Sequence, residues 1–112
     1  MIPADNPAIE RARYTHAIVR AARQTEARAW TACAEAFAAM VDADEKASAS
    51  GLRCLVGDPE WDRDEDRRLG ILAAAAGVAY MRASAGQDDA RATTTGANAL
   101  HLQAVAALAQ EP

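Results

Sequence analysis

A compact all-α bundle of three long helices, or four if the first breaks near residue 25, is the fold this 112-residue sequence predicts. Three observations lead there. Thirty-one residues are alanine, the strongest helix former. Strand signals are nearly absent, since Thr93-Thr94-Thr95 is a β-branched run of only three. Apolar residues also recur at helical spacing in three stretches separated by glycine-bearing segments. The chain therefore reads as one helical-bundle domain over residues 1–112, with helices over about 7–47, 59–85 and 88–110.

The first helix opens at Asn6-Pro7, a capping residue followed by proline at the first helical position. Its apolar stripe is Ile18, Ala22, Ala29, Cys33, Phe37 and Met40, with Val19, Trp30 and Val41 on the flank. Glu26 falls within that stripe, so a break near Gln24-Thr25 is the alternative to one continuous helix. The segment "KASASG" reads as a fraying end with Gly51 as the stop. Asp58-Pro59 has the form of a second helix start, with Trp61, Leu69, Leu72, Ala76 and Tyr80 turned to the core. Gly86 ends that helix, and Asp88 or Asp89 caps the last one, whose apolar side is Ala97, Leu100, Ala104 and Leu108. Gly70, Gly77 and Gly96 lie inside helices, where close helix–helix approach would compensate their low propensity. Trp30, Phe37, Trp61 and Leu72 are the expected buried anchors.

Large apolar groups are scarce, with Leu, Ile, Val and Phe numbering 17 together. So thin a core favours self-association. A homodimer through the first helix is expected, covering Tyr14, Ile18 or Val41. Antiparallel pairing there sets the Arg13–Arg23 region against Glu35, Asp42 and Glu45 of the second copy. The N-terminus lacks the pattern of a signal peptide, and the run "LGILAAAAGVAYM" is too short to span a bilayer, which needs about 20 residues. The expected location is cytoplasmic, with Cys33 and Cys54 as reduced thiols.

"DPEWDRDED", residues 58–66, holds Asp58, Glu60, Asp62, Asp64, Glu65 and Asp66. Asp62, Asp64 and Asp66 match the first positions of a calcium loop. Arg67 replaces the turn glycine of that loop, however, and Ala73 its closing glutamate, so a metal loop is excluded. The acids suit a helix start, where they complement the dipole. They also form an acidic patch able to dock on a basic partner. A second charged feature is the basic face of Arg13, His16, Arg20 and Arg23 on the first helix. The net charge of −4 and the lack of interleaved aromatics argue against nucleic acid as the main partner.

Neither His16 nor His101 stands in a Glu-x-x-His pair, and no nucleophile–base or phosphate-loop pattern appears. No metal, cofactor or catalytic residue is expected. The reading that remains is a non-enzymatic helical protein-interaction module that binds and modulates a larger protein partner. Short acidic helical proteins of this class are often phage or mobile-element inhibitors of host machinery, anti-CRISPR proteins among them. Two alternatives stand beside it. One is a nucleic-acid-associated regulator using the basic face. The other is a small enzyme or ligand-binding bundle with a site around His16, Tyr80 or His101.

Overall fold

The computed structural model describes residues 6–110. These form two helices, α1 (Pro7–Leu55) and α2 (Arg63–Ala109), and no strand. The bundle of three or four helices is thereby corrected. The first helix is continuous, as the three-helix reading has it, and runs on to Leu55, whereas the expected helices over 59–85 and 88–110 are one continuous helix. Glutamate is a good helix former, so Glu26 enters the buried stripe half-exposed without ending α1. Gly86 costs helix stability without stopping α2. Asp88 and Asp89 are exposed mid-helix residues, not caps.

The helix ends have specific causes. Asn6 caps α1 as expected, its Oδ1 accepting from the Ala8 amide at 2.7 Å. Gly51 is passed over, and α1 stops four residues later. There the Asp58 amide donates to the Arg53 carbonyl and the Gly57 amide to that of Cys54, with Gly57 at φ 74°. That is a Schellman closure, and it requires a left-handed residue that glycine supplies without strain. Asp58 is not the cap of α2. Its Oδ1 accepts from the Glu60 amide at 2.9 Å, making a turn that carries Pro59. Asp62 is the cap, accepting from the Asp64 amide at 2.9 Å. The three threonines lie within α2, each hydroxyl donating to the carbonyl four residues back at 3.1 Å.

Two packing units divide the described residues, one of 6–30 with 86–110, the other Thr31–Ala85. In the first unit the inward residues of α1 are Ala8, Ala12, Thr15, Val19, Ala22, Glu26 and Ala29, and those of α2 are Gln87, Ala90, Thr94, Ala97, His101, Ala104 and Leu108. Steps of three and four alternate throughout, which averages 3.5 residues and marks a coiled-coil seam. The contact of Thr15 with His101 sets an antiparallel register that brings Val19 to Ala97 and Ala12 to Ala104. In the second unit Ser50 meets Asp66, and the same stepping brings Ala47 to Leu69, Met40 to Ala76 and Ala36 to Tyr80.

Every level of both seams holds at least one alanine, serine or threonine. Large opposite small lets the helices approach closely and interdigitate. It also explains why no large side chain is fully buried. The expected anchors are corrected accordingly: Trp30, Phe37 and Leu72 are 54%, 49% and 47% exposed, and Trp61 is half-buried. Trp30 and Phe37 lie one position outside the seam, where Phe37 leans on Tyr80 with ring centroids 5.5 Å apart. Nor do the helix glycines mark close approach, because a Cβ added at Gly70, Gly77 or Gly96 would meet nothing within 4 Å.

Candidate interaction surfaces

Three surfaces are built on these helices. The first is the basic flank of α1, where steps of three and four bring Arg13, His16, Arg20 and Arg23 along one side, all exposed. Arg13 makes only a 4.0 Å ion pair with Glu10. His16 stacks at a tilt on His101, with centroids 5.5 Å apart. The Thr15 hydroxyl lies 3.0 Å from the Arg11 carbonyl and shares a hydrogen bond of 2.9 Å with His101 Nδ1, whose direction follows the tautomer of the ring. His101 thereby joins the two helices. A groove of about 330 Å³ between Tyr14, Ile18 and Leu100 lies in the same packing unit.

The second surface is the turn joining α1 and α2, with the first turn of α2. All six predicted acids lie here, but their charge is partly met in space. Arg53 Nε donates to Asp58 Oδ2 at 2.8 Å, and Arg68 holds Glu65 through two hydrogen bonds. Donation from Arg53, then from the Glu60 amide, pulls the Asp58 carboxyl below its usual range, and Arg68 does the same to Glu65. The arginines are raised in return. Asp66 is turned inward to accept from the Ser50 hydroxyl at 2.7 Å. A groove of about 570 Å³ opens here, with Lys46, Arg53 and Arg68 beside Glu60, Asp62 and Glu65 around Trp61. Trp61 Nε1 is buried without an acceptor among the described residues. Salt-bridged partners at sequence distances of three to five explain why a −5 patch in sequence is a mixed surface in space.

The third surface escaped the sequence reading. Beyond its seam, α2 carries a second series with the same alternating steps on its outer side: Ile71, Ala74, Val78, Met81 and Ala85. Every member is exposed, Met81 at 70%, Ile71 at 60% and Val78 at 47%. A segment that is apolar all round and covered on one side only has an unpartnered face. α2 also contains an 18-residue window of mean hydropathy 1.3, long and apolar enough by length and composition to cross a membrane. The uncharged run of 13 residues alone does not reach that length. The outer side of α1 differs, because Arg13, Arg20, Gln24 and Glu45 interrupt it. The signal was present in the sequence as two interleaved seven-residue series in one helix. A search for a single stripe finds only one.

Among the described residues, no three His, Cys, Asp or Glu side chains gather where a metal ion could be held. Cys33 is half-buried and Cys54 exposed, both as free thiols. No protein-family model, curated protein or solved structure matches this chain.

Proposed function

We propose that this chain is a protein-interaction module that binds and modulates a larger partner by docking it along the outer face of α2. One observation carries the reading: Ile71, Val78 and Met81 stand exposed in a helical segment whose other side is already satisfied by α1. Burying an apolar side chain of this size contributes about 1.5–3 kcal/mol. An exposed apolar series of this kind marks a binding site more often than a tolerated defect. The mixed charges of the turn surface would add register and exclude wrong partners more than they add affinity.

The test is photo-cross-linking inside the source cells, with a benzophenone side chain placed at Met81 and, separately, at Gln24 on the outer side of α1. Protein adducts at position 81 and none at position 24 support the reading. Adducts at neither position, or equally at both, contradict it.

A further inference from the structure

Resting on the reading of the α2 face as a protein-docking surface, we propose that in the chain on its own this face takes a second copy, which a larger partner would displace, with the two α2 helices antiparallel about a two-fold axis at Val78. A symmetric dimer needs a patch that is complementary to itself, and the outer series of α2 meets that condition in shape and in charge.

Shape comes first. With the axis at Val78, Ile71 comes opposite Ala85 of the second copy and Ala74 opposite its Met81. Val78 then meets Val78 of the second copy at the axis, and each flanking level pairs a larger residue with a small one, the rule that packs α1 on α2 within the chain. Charge selects the direction. The residues seven before Ala74 and seven after Met81 are Arg67 and Asp88, both exposed and neither in an ion pair among the described residues. Antiparallel pairing sets Arg67 against Asp88 of the second copy at both ends of the contact. Parallel pairing would set arginine on arginine and aspartate on aspartate, so the charges oppose it. The exposed apolar series thus moves the expected dimer contact from α1, whose outer side is interrupted by charge, to α2.

Sedimentation equilibrium of the full chain over about a hundredfold dilution tests this. The expected mass is twice the 11.8 kDa of one chain at the concentrated end, falling toward one chain on dilution. Met81→Glu should be monomeric throughout while keeping its helical circular dichroism. Arg67→Glu should weaken the dimer by about tenfold or more, and adding Asp88→Arg should restore it. A one-chain mass at every concentration overturns the proposal. So does a Met81→Glu protein that still dimerises, or a charge reversal without rescue. Monomeric wild-type chain that co-sediments with phosphatidylglycerol vesicles would also overturn it, making the face a membrane contact. If the chain is monomeric yet Met81 still cross-links a different protein in cells, the self-pairing fails and the interaction module stands. If no adduct forms either, both fail.

Discussion

The Ser50 hydroxyl donates to Asp66 Oδ1 at 2.7 Å, tying the last turns of α1 to the first turn of α2. Ser50 is buried and Asp66 half-buried, so this bond closes the seam at its turn end. Ser50→Ala leaves the Asp66 carboxylate to be rehydrated from its open side. The expected loss is therefore about 1 kcal/mol, below the full worth of a bond to a charged group. A denaturant midpoint measures it, and an unchanged midpoint would remove the bond from the seam.

Size, more than apolarity, governs the seam. Ala97 is 5% exposed in a cluster with Val19 and Ala22. Ala97→Leu should cost about 1–3 kcal/mol by overpacking, although it adds apolar surface. Phe37→Ala removes the largest side chain on its helix turn, yet Phe37 is half-exposed and should cost only about 1–2 kcal/mol, below the range for a buried phenylalanine. Thermal unfolding of the two variants side by side gives the order. A larger loss at Phe37 would reverse this picture of the core.

Helix content and the Asn6 cap were legible because each depends on residues close in sequence, whereas the second helix starts from Asp62 and not from Asp58-Pro59. The number of helices was not. Gly51 and Gly86 each read as a stop and Glu26 as the ground for an alternative break, and whether such residues end a helix depends on what faces them. Gly57 differs because the backbone there needs a positive φ. The buried anchors were missed for a related reason. Large apolar residues were expected inside, whereas a seam built on alanine places Trp30 and Phe37 beside the contact instead of in it. The basic flank was readable from its spacing, and the neutralisation of the acidic turn by Arg53 and Arg68 needed the fold.

Helix propensity offers a gain in the opposite direction. A Cβ at Gly70 or Gly96 meets open space, and neither residue has a positive φ. Gly70→Ala and Gly96→Ala should each stabilise by about 0.5–1 kcal/mol. Unfolding midpoints at fixed protein concentration check this, and destabilisation would mean the sites are crowded.

Acid should weaken the turn. Asp58 and Glu65 have folded pKa values below their unfolded ones, so their contribution is present above the usual carboxylate range and lost as pH falls through the lowered values. Unfolding midpoints should be insensitive to these two groups from pH 7 to about 5 and should decline below about 4. Both carboxylates are solvent-accessible, so the effect is small. Asp58→Asn with Glu65→Gln should flatten that acid limb, and an unaltered limb would show that other groups cause it.

Most directly at issue is whether the outer face of α2 serves binding and not folding. Unfolding of Met81→Glu decides it, measured at a protein concentration low enough for the wild-type chain to sediment as one copy. The expected result is a midpoint within about 0.5 kcal/mol of wild type, as for an ordinary surface substitution. A variant unfolded where the wild type is folded would contradict it, placing Met81 in the core of the chain's own fold.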